Sequence, residues 1–137
     1  MSNGIDPWVK TLLLKAAEDE AAIQIDEVPN GPFGFHAQQA VEKLIEALLS
    51  QLGIAYDRTH DVTKLAQQLS GVGECLPVGP TLLSELNHFA VVYRYDSIPD
   101  LAIPDRPAII ETVRLIREHI TARIAALSGP PLPPPLQ

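Results

Sequence analysis

The sequence predicts an all-α domain, an antiparallel bundle of four main helices plus one shorter helix. Three observations lead there. Apolar residues recur at three- and four-residue steps along most of the chain, and no alternating strand pattern competes with them. Apolar residues make up 46% of the chain but aromatic ones only 5%, so the core must be built from Leu, Ile, Val and Ala, as in packed helices. Clusters of proline and glycine fall between the periodic stretches and break them. The 137 residues fit one domain, read as a helical unit over 1–128 and a proline-rich segment over 129–137.

The first helix is announced by IDPWVK. Asp6 can cap it, and Pro7 suits the first helical position, where its missing N–H would be unpaired anyway. Trp8, Leu12, Ala16 and Ile23 lie near one stripe, and the acidic run Glu18, Asp19, Glu20 is expected to face water. PNGP at 29–32 ends this element. The second helix, FGFHAQQAVEKLIEALLSQLG, carries Phe33, Ala37, Ala40, Val41, Leu44, Ala47, Leu48 and Leu52, with Ile45 and Leu49 widening the arc. Such a helix is buried on more than one side. Gly53 stands where a left-handed cap belongs.

RTHDVTKLAQQL opens the third helix, capped by Thr59 or Asp61, with Val62, Leu65 and Leu69 inward; SGVGE ends it. A fourth pattern runs from about Pro80 to Tyr93, with Leu82, Leu83, Leu86, Phe89, Ala90 and Tyr93. RYDSIPDLAIPDRP reads as an irregular loop. A long last helix follows from about Asp105 to Ser128, carrying Ile109, Val113, Ile116, Ile120, Ile124 and Leu127, and Gly129 terminates it. The segment GPPLPPPLQ cannot stay α-helical, because consecutive prolines lack donors and clash with the preceding turn. Polyproline II or disorder is expected there, and the segment resembles a ligand for aromatic-grooved modules.

Composition narrows the function. The formal charge is −7, which opposes a broad nonspecific nucleic-acid surface but leaves room for a local basic pocket, in particular one shared by two subunits. MSNGIDPWVK does not read as a signal peptide, and no run reaches the roughly 18 apolar residues of a membrane span, so the expected place is the cytoplasm and not a membrane. The single Cys75 cannot form an internal disulfide and reads as a small buried or half-buried apolar residue. No HxxxH or CxxC spacing signals a metal site.

FHAQQAVEKLIEALL, then RTHDVTKLAQQL, then RYD together resemble the HEPN (higher eukaryote and prokaryote nucleotide-binding) domain family. The DPW opening and the interrupted long last helix fit the same pattern, and the resemblance covers residues 6–128. It implies an HEPN-like bundle that commonly dimerises. Many members are encoded beside small nucleotidyltransferases and act with them as toxin–antitoxin pairs. Some are metal-independent ribonucleases, while others bind nucleotides or serve as non-catalytic interaction modules. The expectation is therefore a homodimer without a cofactor, linked to a nucleotide or RNA, with a separately encoded nucleotidyltransferase as partner. The alternative is a dimeric protein-interaction module that binds no nucleotide.

The ribonuclease members resemble one another in an Arg-x4–6-His motif, and Arg114 with His119 matches it. His119 can move a proton near neutral pH and Arg114 can hold a phosphate. Five residues along a helix turn by about 500°, leaving the two side chains about 140° apart. Arg114 is equally placed to pair with Glu111 or Glu118 at helical spacing. A metal-independent ribonuclease is thus one reading and not the favoured one.

Arg58, His60 and Asp61 admit two readings. Thr59 or Asp61 caps the third helix while His60 fixes the loop, or Arg58, His60 and Arg94 line a nucleotide or phosphate pocket. Arg94 and Tyr95 likewise can bind phosphate and stack a base, or close a helix by packing and carbonyl capping. Gln38 and Glu42 share a face and can build a hydrogen-bond network at the bundle or dimer interface; His36 reads as a satisfied interior or boundary histidine.

Overall fold

The computed structural model describes residues 4–92 and 105–129. They form five helices and no strand: α1 (Pro7–Ile23), α2 (Asn30–Gln51), α3 (Val62–Ser70), α4 (Pro80–Val92) and α5 (Arg106–Ser128). Arg94, Tyr95 and the proline-rich residues 130–137 lie outside the described residues, as does Tyr93. No helix among the described residues is long and apolar enough to cross a membrane.

α1 starts as its sequence requires. The Asp6 carboxylate accepts the Trp8 N–H at 2.8 Å, and Pro7 occupies the first turn. Its inner stripe differs from the expected one. Val9, not Trp8, enters the core, and Trp8 is 53% exposed with its indole N–H donating to the Tyr56 hydroxyl at 3.3 Å. Asp19, expected in water with Glu18 and Glu20, is buried. Its carboxylate is held by the Lys43 ammonium at 2.5 Å and by His36 Nδ1 at 2.8 Å, which offset the loss of hydration. Glu20 is drawn inward to Arg117 at 2.8 Å, while Glu18 remains exposed.

α2 begins at Asn30, inside PNGP, rather than at Phe33. Pro32 is tolerated because the first-turn N–H groups have no helical acceptor to lose. α2 packs against all four other helices, which explains an apolar arc too wide for one contact face. Phe33, Ala37, Ala40, Val41, Leu44, Ile45, Ala47, Leu48 and Leu49 are all buried. Truncating one of these leucines to alanine would cost about 2–5 kcal/mol in lost transfer energy and cavity. At Gly34 the backbones of α2 and α4 touch, since an added Cβ would stand 3.0 Å from the Phe89 carbonyl oxygen. Gly53, with φ of 75°, takes the left-handed conformation expected after α2.

Val62, Leu65 and Leu69 of α3 are buried, as are Leu83 and Leu86 of α4 and Ile109, Val113, Ile116, Ile120 and Ile124 of α5. Leu82 and Leu127, expected inward, are each 40% exposed because they fall at the margin of their helix's stripe. Cys75 is exposed in the α3–α4 connection, where no helix covers it. Arg106 sets the start of α5. Its guanidinium donates to the Val28 carbonyl at 2.6 Å and the Asn30 side chain at 2.8 Å, and lies 4.6 Å from the Phe33 ring centroid. The start of α5 is thereby tied to the α1–α2 connection and the first turn of α2, and with Arg117 paired to Glu20 further along, α5 runs antiparallel to α1.

Candidate functional site

The polar edge of α2 meets the start of α3 and the middle of α4. There the side chains of Gln38, Gln39, Glu42 and His60 form one hydrogen-bonded group and those of Asp61 and Asn87 a second, and the two meet at the His60–Asp61 peptide. Gln38 and Glu42 are buried, four residues apart on one face of α2. Gln38 donates to Glu42 Oε1 at 3.4 Å and to the backbone carbonyl of His60. Gln39 donates to Gln38 Oε1 at 2.8 Å and to Glu42 Oε2 at 3.4 Å. His60 Nδ1 lies 2.9 Å from Glu42 Oε1, while the ring itself is 88% exposed. His60 therefore fixes the loop before α3 and also presents its outer edge to solvent.

Asp61 caps α3. It accepts the Thr63 N–H at 2.9 Å, the Thr63 hydroxyl, and the Asn87 amide at 2.7 Å. The Thr63 hydroxyl is the largest influence holding the Asp61 carboxyl below the usual aspartate range, with Asn87 and two backbone N–H groups adding to it. The Asn87 side-chain oxygen in turn accepts the Val62 N–H at 3.1 Å. A helix start is otherwise a natural anion site. Here the Val62 and Thr63 donors are already taken by side chains of the protein, so α3 does not offer them to a phosphate. Of the two readings of Arg58-Thr59-His60-Asp61, the geometry has the capping one at Asp61. Arg58 is exposed on the same loop.

Between these groups opens a groove of about 640 Å³ lined by Phe35, Gln38, Gln39, Thr59, His60, Asp61, Asn87 and Ala90. Phe35 is 43% exposed on one wall. One turn further along α2, half-buried Glu46 has its pKa pushed up to about 7, first by burial and next by the nearby Glu42 carboxylate; His60 and Lys43 oppose the shift.

The Arg114 and His119 pair is arranged differently. Arg114 lies on the outer face of α5, with Nε 2.8 Å from Glu111 and Nη1 2.6 Å from Glu118. Both glutamates raise its already high pKa, and the same contact lowers that of Glu111. His119 is half-buried, and its Nε2 is buried with no hydrogen-bond partner among the described residues. It lies near Glu74, whose carboxyl is held low first by Arg123 and also by His119. The structure does not bring Arg114 and His119 into one cleft of a single chain. Among the described residues, no group of three or more His, Cys, Asp or Glu is placed to hold a metal ion.

The HEPN domain family model matches residues 9–122. The chain belongs to the HEPN domain family. No curated protein and no solved structure matched it. Within this HEPN domain the motif RTHD supplies the cap, the loop anchor and one wall of the groove.

Sequence reasoning missed Asn87, Phe35 and the Asp19–His36–Lys43 cluster. Asp19 carried a usable signal, since positions 12, 16, 19 and 23 share one helical stripe. His36 is satisfied, as its boundary position suggested, but by a residue from another helix. Asn87 had no local signal, because its partners are 25 and 26 residues away.

Proposed function

We propose that this HEPN domain is a nucleotide- or RNA-linked binding module, acting as a homodimer in the cytoplasm with a separately encoded nucleotidyltransferase. In that pairing it takes the toxin-type part. The observation that carries the binding reading is the groove between α2, α3 and α4. It combines an exposed aromatic ring, Phe35, with the fixed amides of Gln38, Gln39 and Asn87 and the carboxylate of Asp61. That lining suits a nucleobase, which offers a stacking face and an edge of donors and acceptors. It suits a phosphate poorly, since Asp61 lines it, Glu42 stands just behind Gln38 and His60, and the α3 donors are occupied. Phosphates attached to a bound base would meet the exposed Arg58 and His60 at the rim. The resemblance of FHAQQAVEKLIEALL and RTHD to members paired with nucleotidyltransferases supports the partner.

Catalysis by Arg114 and His119 requires a second chain to complete the site. The ion pairs holding Arg114 are exposed and weak enough to yield to a phosphate. Two assays separate these readings. Calorimetric titration with nucleotides should give saturable binding that is weakened about tenfold or more in Phe35→Ala, the loss of one stacking contact of about 1–3 kcal/mol. Metal-free incubation with RNA should leave it intact, as it should with Arg114→Ala and His119→Ala. Cleavage by the wild type that both variants lose would transfer the function to α5. Absence of nucleotide binding by the folded protein would favour the interaction-module reading.

A further inference from the structure

The hydrogen bonds behind the groove fix which way each amide faces. They start at the backbone carbonyl of His60, which can only accept. The end of Gln38 that meets it is therefore the amide nitrogen, whose second hydrogen goes to Glu42 Oε1 at 3.4 Å. Gln38 thus turns its Oε1 to Gln39, where it accepts from Nε2 at 2.8 Å. The other Gln39 hydrogen goes to Glu42 Oε2 at 3.4 Å. Both donors of Gln39 are then spent inside the protein, and its Oε1 has no partner among the described residues.

Glu42 orders the histidine by the same rule. An ionised carboxylate only accepts, so Nδ1 of His60, 2.9 Å away, carries the hydrogen. In the neutral ring Nε2 is left as an acceptor, and the ring is 88% exposed. Asn87 is fixed from the other side. Its Oδ1 accepts the Val62 N–H at 3.1 Å, and its Nδ2 donates one hydrogen to Asp61 Oδ1 at 2.7 Å. The second Nδ2 hydrogen is unspent among the described residues. The side chains lining the groove therefore keep two acceptors for a ligand, Gln39 Oε1 and His60 Nε2, and one donor, Asn87 Nδ2.

These unspent groups discriminate between base edges. In adenine and cytosine an amino group stands beside an unprotonated ring nitrogen, so the edge offers two N–H donors and one acceptor. In hypoxanthine and uracil a carbonyl stands beside a ring N–H, and the polarity is inverted. The first edge matches two acceptors and one donor. The second sets oxygen against oxygen and leaves polar groups unpaired away from water, which costs binding. Asp61, which lines the groove, and Glu42 behind it favour the amino edge further, because its hydrogens are electropositive.

We infer that the groove selects adenine and cytosine over hypoxanthine and uracil, with Gln39 as the specificity-determining residue. The inference rests on the nucleobase reading of the groove proposed above and adds which edge it reads.

The test is calorimetric titration of the full chain at pH 8 with cytidine, uridine, adenosine and inosine. None carries a phosphate, so a charge contact at the rim does not enter. Cytidine is expected to bind about tenfold tighter than uridine, and adenosine about tenfold tighter than inosine, the loss of one well-made hydrogen bond. Gln39→Met, of similar length but without the amide, should narrow both ratios while circular dichroism shows the helices kept. Equal or inverted affinities within either pair of nucleosides for the wild type would overturn the inference and leave the nucleobase reading standing. Ratios unchanged in folded Gln39→Met would overturn the role given to Gln39. Absence of binding by all four nucleosides would overturn the nucleobase reading and the inference with it.

Discussion

The groove at the α2–α3–α4 junction and the outer face of α5 both carry residues with the chemistry to meet RNA or nucleotides, and they are built in opposite ways. In the groove, Gln38 and Glu42 are buried and bonded to the loop before α3, and Asn87 of α4 is bonded to Asp61 at the start of α3. On α5, Arg114 is bonded, among the described residues, to two exposed glutamates of its own helix. Buried polar groups are costly to leave unpaired, whereas exposed ion pairs contribute little and are readily exchanged. The groove is thus a preorganised surface that holds its shape without a ligand. The α5 face is a loosely held cation that can be redirected. Matching residue types at matching spacing does not distinguish the two; burial and the origin of the partners do.

That contrast can be broken most severely at Gly34. A methyl group there meets the Phe89 carbonyl at 3.0 Å, so Gly34→Ala must push α4 away from α2. A loss of about 1–3 kcal/mol in urea unfolding is expected, as for other overpacked contacts, together with loss of whatever the groove binds. Unchanged stability would mean that the two helices part without cost and that the groove is not preorganised.

Asp61→Ala comes next. It removes the α3 cap and leaves the Asn87 amide without its acceptor, for an expected loss of about 1–2 kcal/mol. The pH dependence follows from the direction of the shift. The Asp61 carboxyl is held low in the folded state, so its contribution is present above the unfolded aspartate range and is lost as pH falls through the lowered value. Wild type and variant should therefore converge in strongly acidic urea titrations.

Glu46 should behave in the opposite sense. Its folded pKa of about 7 exceeds the ordinary glutamate value of 4.5, so the folded protein binds more protons between those values and stability falls as pH rises through that window. Halved for its half-exposed position, the penalty above pH 7 is about 1–2 kcal/mol. Glu46→Gln should remove it, stabilising the protein at pH 8 and leaving it nearly unchanged at pH 4.5. A variant equally stabilised at both values would refute the titration. The smallest effect is expected on α5, where Arg114→Ala should leave the thermal midpoint nearly unchanged, because its ion pairs lie at the surface.

Much of the fold was legible in the sequence because its signals are local. Asp6 and Asp61 cap as their positions require, Gly53 takes a left-handed turn, and the apolar periods of α2, α3 and α5 become the core. The misplacements have physical reasons. Trp8 sits at a helix start, where the neighbouring Val9 fills the inner position and the indole finds Tyr56 across 48 residues. Asp19 is buried only because His36 and Lys43 of α2 reach it. The site was half legible. Local capping chemistry marked Asp61, and helical spacing marked Gln38 with Glu42. Phe35 and Asn87, which complete the groove, depend on how α2 meets α4, a contact that no short stretch of sequence encodes.

The central claim is that nucleobase recognition belongs to the groove and not to α5. It is tested most directly by recording ¹H–¹⁵N spectra of the full chain during titration with a nucleoside, then with the corresponding nucleotide. Saturable shifts of the Gln39 and Asn87 side-chain amides and of the Thr59–Asp61 backbone are expected with both, while the backbone signals of Arg114 and His119 stay in place. Shifts confined to the Arg114–His119 stretch, with the groove signals unmoved, would contradict the account.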